Sequence, residues 1–106
     1  MDEAISGIAG FDWDWGNRDK CQKHGVSIAE IESLFTRDPV IFVDMEHSLA
    51  EERLRAIGKT YTGRYVFLVF TRRERDGKTY IRPISARYMH KKESDYYEKE
   101  NPDLSE

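Results

Sequence analysis

Three arginines and one histidine are the residues of this chain best suited to act on a phosphate ester. Arg53, Arg72 and Arg87 lie in residues 53–92, a segment with twelve Lys or Arg and only two acidic residues. Cleavage of a phosphate diester without a metal ion needs cations for the charge on the phosphate oxygens and groups that move protons to and from the reacting oxygens. Arginine binds phosphate oxygens in pairs, and the imidazole of His24 is of a type that exchanges protons near neutral pH. We therefore predict these four as catalytic residues.

Each of these assignments has a structural alternative. An arginine can be solvated or bound in a surface ion pair. His24 directly precedes Gly25, where an imidazole can cap the last carbonyls of a helix. The catalytic hypothesis requires the three arginines to converge on one concave site. If their guanidinium groups lie more than about 15 Å apart, beyond a Debye length, a single site fails.

A second group of residues is predicted to bind a polyanion such as RNA rather than to act on its phosphate. Arg73, Arg75 and Lys78 flank a tight turn and could steer phosphates, with solubility of the turn as the alternative. His90 is an alternative proton carrier, and Tyr97 could stack on a base, donate a proton or pack in the core. The remaining cations of this group are Lys23 and Arg64.

Composition limits the class of protein. The chain has 106 residues, a net charge of −3, and 39% apolar residues, which fits one small domain. It has no apolar run of about 18 residues and no basic residues before an apolar block at the N-terminus, so we predict a cytoplasmic protein without a membrane span. Cys21 and His24 form only half of a metal site, and no nucleotide-binding motif occurs, so no metal or cofactor is predicted.

The first half of the sequence predicts a strand followed by two helices. Ile8–Trp13 is a short apolar run typical of a strand, and Asp14 is placed to cap a helix over residues 15–24. Ser27 with Glu30 three residues later forms a capping box for the second helix. The predicted core anchors of this half are Trp13 and Trp15.

The second half predicts strands and a final helix. The strands are expected over residues 40–43, 53–59, 64–73 and 78–86, with a polar loop over residues 44–49. Tyr65–Thr71 is almost wholly apolar, which is typical of a central strand covered on both faces. Asp76–Gly77 is a hairpin signal, and Pro83 indicates a bulge or an unpaired strand position. A helix over residues 88–99 follows.

These elements predict an α+β protein with one compact domain. Its antiparallel sheet has four to five strands, with two helices before it and one C-terminal helix. The domain is expected to cover residues 8–98, and the acidic termini, residues 1–7 and 99–106, are expected to be flexible.

Several short motifs occur together in an order and spacing typical of one toxin family. They are Trp13-Asp14, Asn17, KHGVS at 23–27, Asp38-Pro39, His47-Ser48, Glu52-Arg53, Ile57-Gly58, and ISAR at 84–87 followed by Glu93 and Tyr97. Over about residues 11–98 the chain resembles the BrnT family of bacterial type II toxins. The resemblance implies a RelE-like fold, cleavage of RNA and arrest of translation.

The same resemblance implies a partner protein. BrnT toxins are neutralised by a BrnA antitoxin encoded beside them, which carries the ribbon-helix-helix DNA-binding part. Operator DNA would therefore be contacted only through the antitoxin, and a toxin homodimer within the complex is a further expectation. We expect the basic segment to attract an acidic part of the antitoxin, which would then exclude RNA.

Two other functions stay open from the residues alone. One is a non-catalytic module that binds nucleic acid or protein on the same scaffold. The other is a regulator that acts only by pairing with a partner chain, which the two-sided apolar character of Tyr65–Phe70 favours.

Overall fold

The computed structural model describes residues 7–43 and 52–100. In chain order their elements are β1 (Ile8–Phe11), α1 (Trp15–Gln22), α2 (Ile28–Leu34), β2 (Val40–Val43), β3 (Leu54–Lys59), β4 (Tyr65–Arg75), β5 (Lys78–Tyr88) and α3 (Lys91–Glu100). The predicted loop over residues 44–49, with His47-Ser48, lies outside the described residues.

Both N-terminal helices begin at the predicted caps. The Asp14 carboxylate accepts from the backbone N–H of Asn17 at 3.0 Å, and the Asn17 side chain accepts from the N–H of Asp14 at 2.7 Å. Ser27 and Glu30 make the same reciprocal pair, at 3.0 and 3.1 Å. These bonds satisfy N–H groups that have no partner within a helix, so the predictions at Asp14 and Ser27 are confirmed.

The five strands form one mixed sheet in the order β1-β5-β4-β3-β2. Strands β2 to β5 pair antiparallel, whereas β1 pairs parallel with β5. The fully antiparallel sheet predicted from the sequence is therefore wrong at β1. Nearly the whole domain separates β1 from β5 along the chain, so no hairpin turn dictates their relative direction.

Strand β4 carries apolar side chains on both faces of the sheet, as predicted. Val66, Leu68 and Phe70 are fully buried in a core shared with α1 and α2. On the opposite face Tyr65 packs with Tyr97 of α3 in a second cluster, with the two rings 5.8 Å apart. α3 thus covers the part of the second face where β4 begins.

The hairpin of β4 and β5 is longer than the sequence predicted. Tyr88 pairs with Val66 at the far end of the ladder, so the strand continues through residues assigned to the last helix, and α3 begins only at Lys91. The ladder is irregular between Val69 and Phe70, where Phe70 faces Pro83. Of the two positions predicted for this proline, a bulge or an unpaired strand position, the structure shows the irregularity.

Trp13 and Trp15 differ in their surroundings. Trp13 packs against the core and donates its indole N–H to Glu32 at 2.9 Å. Trp15 is 86% exposed, so its prediction as a core anchor is wrong. It occupies the first position of α1 and points away from β5, because a short helix buries only one side.

Two further features bear on the earlier predictions. Cys21 is fully buried on α1, and burial raises the pKa of its thiol to about 11, so it packs as a small apolar residue. No helix among the described residues has the length and apolar content needed to cross a membrane.

Candidate active site

One face of the sheet carries arginines beside an aromatic ring. Arg87 of β5 lies directly opposite Phe67 of β4, and Arg55 of β3 lies opposite Val69. The guanidinium carbons of Arg87 and Arg55 are 5.1 and 5.4 Å from the centroid of the Phe67 ring. We call the surface formed by Arg55, Phe67, Val69, Ser85 and Arg87 the open face. It is the face turned away from α1 and α2, and its residues remain partly exposed.

Arg87 is bound by a carboxylate from the first turn of α3. Its two terminal nitrogens donate to the two carboxylate oxygens of Glu93 at 2.9 and 3.0 Å. Hydrogen bonding from Arg87, followed by that from the backbone N–H of His90, lowers the pKa of Glu93 to about 2. The same contact raises the pKa of Arg87 above its ordinary value. Arg87 therefore stays charged, and it keeps a forked geometry that also fits two oxygens of a phosphate.

His24 and Arg87 line the same small depression. The depression has a volume of about 150 Å³ and is lined by His24, Phe67, Ser85, Ala86 and Arg87. β1 pairs only with the first residues of β5, so the later part of β5 leaves room for the turn that follows α1. Two of the four predicted catalytic residues, a cation and an imidazole, therefore lie at one site.

A comparison with protein families found a match. The family model described as the ribonuclease toxin BrnT of type II toxin-antitoxin systems matches residues 13–93, which include His24, Arg87 and Glu93. The chain belongs to the BrnT family. Because a type II system pairs each toxin with an antitoxin protein, membership also implies an antitoxin partner. A comparison with curated proteins found no match.

Arg72 of this BrnT chain does not lie on the open face. It pairs with Ile81 and follows Phe67 by five residues, an odd number that turns its side chain to the opposite face of β4. At about 3.4 Å per residue, the two positions are also about 17 Å apart along the strand. Arg72 binds the carboxylate of Glu52 there. The predicted convergence of three arginines is therefore wrong for Arg72.

Arg53 lies directly before β3, two residues ahead of Arg55, and is half-buried. Because side chains alternate along a strand, Arg53 lies on the same face as Arg55. It comes one residue before Leu54, which pairs with Phe70. It thus borders the open face, at the end away from α3.

Arg64 lies on the helix side of the sheet in this BrnT chain. Its guanidinium carbon is 3.4 Å from the centroid of the Tyr88 ring, and the Tyr88 hydroxyl lies 2.6 Å from a carboxylate oxygen of Glu30. Although burial raises the pKa of Glu30, hydrogen bonds from Tyr88, Ser27 and Thr62 outweigh it, and the net pKa is lowered. Arg64 and Arg87 therefore lie on opposite faces of the sheet.

The cations of the hairpin lie at the other end of β4 and β5 from Arg87. Arg73, Arg75 and Lys78 are exposed, as their position beside the turn predicts. Arg75 contacts the carboxylate of Asp12 at 3.1 Å. Arg82 contacts Asp14 at 2.8 Å. Acidic residues near the N-terminus thus offset part of this positive charge, and the hairpin is separate from the depression at His24.

The last predicted RNA-binding residues have different surroundings. Lys23 is exposed beside His24, and His90 is exposed directly before α3. Tyr97 is buried between α3 and the sheet, with its hydroxyl 3.5 Å from the carbonyl oxygen of Ile57, and burial raises its pKa to about 12. The packing alternative therefore describes the position of Tyr97, whose ring lies in the cluster with Ile57 and Tyr65.

Two residues of the open face were missed at the sequence level. Arg55 follows Arg53 by two residues, and Phe67 lies in a segment assigned wholly to the core. Strand alternation was the available signal, since Phe67 differs in parity from Val66, Leu68 and Phe70. Within residues 7–43 and 52–100, no three His, Cys, Asp or Glu side chains are grouped so that they could hold a metal ion.

Proposed function

We propose that this BrnT-family chain is an endoribonuclease that cleaves RNA without a metal ion and thereby arrests translation. The observation that carries the proposal is the placement of His24 and Arg87 at one depression on a partly exposed sheet face. The family match, which describes a ribonuclease toxin, supports the same conclusion.

The proposed reaction is attack of the ribose 2′-oxygen on the neighbouring phosphorus, with departure of the 5′-oxygen. His24 takes the proton from the 2′-hydroxyl, since an imidazole can act as a base near neutral pH. Arg87 binds two phosphate oxygens and stabilises the charge that develops on them. A proton must also reach the leaving oxygen, and exposed His90, at the start of α3 next to Glu93, is the candidate for that role.

Binding of RNA at Arg87 must displace or share the contact with Glu93. A phosphate offers the same paired oxygens as the carboxylate, so an exchange of one for the other keeps both donors of Arg87 satisfied. The other predicted cations then have distinct roles. Arg53 extends the open face, Lys23 lies beside His24, and the hairpin cations Arg73, Arg75 and Lys78 attract the RNA backbone from a distance.

We propose further that the antitoxin is of the BrnA type. Its ribbon-helix-helix part contacts operator DNA, and its remaining segment covers the open face, where it excludes RNA by occupying the same surface. A homodimer of the toxin within the complex is compatible with this arrangement. The proposal places the chain in the cytoplasm, where its RNA substrate and its antitoxin are made.

A non-catalytic RNA-binding module is the second candidate. It is favoured by one observation, namely that Arg72, Arg75, Arg82 and Arg87 each contact a carboxylate. Fewer cations are then available for catalysis than the sequence predicted.

Incubation of the purified chain with RNA and a chelator separates the two candidates. The wild type is expected to cut RNA, and Arg87→Ala is expected to lower the rate about 100-fold or more, as loss of a donor to a developing oxyanion does. Arg18→Ala on the exposed side of α1 is the matched control and should leave the rate unchanged. Circular dichroism checks that each variant is folded. Binding of RNA without any product would instead favour the non-catalytic module.

A further inference from the structure

A row of alternating aromatic and guanidinium groups crosses the sheet on the open face. Phe42 of β2 lies directly opposite Arg55 of β3, and Phe67 of β4 lies directly opposite Arg87 of β5. The Arg55 guanidinium carbon is 6.0 Å from the Phe42 ring centroid and 5.4 Å from that of Phe67. We call Phe42, Arg55, Phe67 and Arg87 the stacking row. It runs across four strands, and three of its members, Phe42, Arg55 and Phe67, have no assigned role in the cleavage step.

We propose that the stacking row binds an unpaired nucleobase, so that the substrate of this chain is single-stranded RNA. This inference rests on the proposed function and specifies its substrate. Bases stack on aromatic rings and on the planes of arginine guanidinium groups, and both surfaces are present here in one line. A base stacked beside Phe67 would hold its neighbouring phosphate at Arg87.

The size of the site favours one base over a base pair. The depression formed by Phe67, Arg87, His24, Ser85 and Ala86 encloses about 150 Å³, about half the ~300 Å³ of the smallest pockets that hold drug-sized molecules. A duplex also keeps its base faces inside its own stack, and its A-form major groove is too narrow and deep for side chains to enter. In a duplex, the stacking row therefore finds little to bind beyond the phosphates.

The structure also holds the two arginines in place for this role. Phe67 packs against the cluster of Ile57, Tyr65 and Tyr97 of α3, so its ring has a fixed position. Arg55 and Arg87 both rest against that ring. Long side chains fixed by cation–π contacts lose less conformational freedom when a ligand binds.

The first test measures binding of a short mixed-sequence RNA carrying a 2′-O-methyl group on every ribose, so that it cannot be cleaved. Fluorescence anisotropy compares the single strand with the same strand annealed to its complement. We expect the wild type to bind the single strand about tenfold more tightly or better, the size expected for one stacked base. Equal affinity for the two forms overturns the proposal.

Two variants separate stacking from charge. Arg55→Lys keeps the charge and removes the planar group, and Phe67→Leu keeps an apolar side chain in the cluster with Ile57. Both are expected to lose most of the preference for single strands. Arg18→Lys on α1 is the matched control and should keep it. Because Arg55 is half-buried at the surface, its variant remains informative if Phe67→Leu proves unstable to urea. Full retention of the preference in Arg55→Lys contradicts the proposal.

The second test pairs a protein change with an RNA change. The bond cut by the wild type is first mapped, and an abasic nucleotide is then placed on either side of it. At one of the two positions, loss of the base should lower kcat/KM about tenfold for the wild type and much less for Phe67→Leu, because both changes remove the same contact. Equal losses in both proteins overturn the stacking.

The two tests also distinguish failure of the substrate inference from failure of the proposed function. If the wild type cuts RNA but treats single strands and duplexes alike, the nuclease proposal stands and the stacking inference fails. If it cuts no RNA but binds the methylated single strand in a manner that depends on Phe67, stacking stands and cleavage fails.

Discussion

Arg87 and Glu93 form the ion pair on which the proposed chemistry of the open face depends. The carboxylate of Glu93 accepts both terminal N–H groups of Arg87 and the backbone N–H of His90, and so links β5 to the first turn of α3. An acidic side chain in this turn is also favoured by the helix dipole. The pair therefore stabilises the fold and holds the arginine that is proposed to bind phosphate.

The stability contributed by Glu93 should depend on pH. Its pKa in the folded chain, about 2, lies below the ordinary 4.5, so its stabilising effect is complete above about pH 4.5 and is lost as the pH falls toward about 2. Since the pair is partly exposed, we expect Glu93→Gln to cost about 1 kcal/mol or less at neutral pH. Urea unfolding of both proteins should give curves that converge in acid. A difference independent of pH would contradict the role of the ionised carboxylate.

Single residues show where prediction from the sequence succeeded. The caps at Asp14 and Ser27 depend on neighbours within three residues, and such local signals are readable without a structure. Arg72 shows where it failed. Its number has the same parity as those of the buried residues Val66, Leu68 and Phe70, so its side chain lies on the helix side of the sheet. The prediction of one arginine site relied on the nearness of strand ends and overlooked which face each side chain occupies.

Among the elements, α3 decides how much of the open face stays exposed. It covers the end of the face where β4 begins, through Tyr97 against Tyr65 and Ile57. A helix that began at residue 88, as the sequence predicted, would have removed Tyr88 from the ladder with Val66. The periodicity of the apolar residues gave no sign of this pairing, because it depends on a strand more than twenty residues away.

Tyr97 offers a test of this packing. Tyr97→Ala should destabilise the fold by about 3 kcal/mol or more, since it removes a large buried ring. Tyr97→Phe keeps the ring and loses the hydroxyl, whose hydrogen bond to the carbonyl of Ile57 is long at 3.5 Å, so it should cost less than about 1 kcal/mol.

Urea unfolding measures both variants, with RNA cleavage as a second measurement. We expect Tyr97→Phe to cleave RNA at the wild-type rate. A stable Tyr97→Phe protein without activity would show that the hydroxyl takes part in the reaction after all.

Across the described part of the molecule, acidic residues that precede and follow the basic segment 53–92 in the sequence contact its cations. Asp12 and Asp14 from before α1 contact Arg75 and Arg82, and Glu98 of α3 lies 3.9 Å from Lys59. The charge count along the sequence predicted a strongly positive surface, but these contacts join distant segments and reduce it. The fold class and most elements followed from local patterns, whereas the site depended on these non-local contacts and on strand register.

The identity of the RNA ends produced by the whole chain tests cleavage by Arg87 and His24 most directly. In the presence of a chelator, attack by the 2′-oxygen should leave a 2′,3′-cyclic phosphate on one fragment and a 5′-hydroxyl on the other, which mass spectrometry can identify. Wild type and Arg18→Ala should both give these ends, and Arg87→Ala should give about 100-fold less product. Products with 3′-hydroxyl and 5′-phosphate ends that vanish with chelator, or full activity of Arg87→Ala, would contradict cleavage at this site.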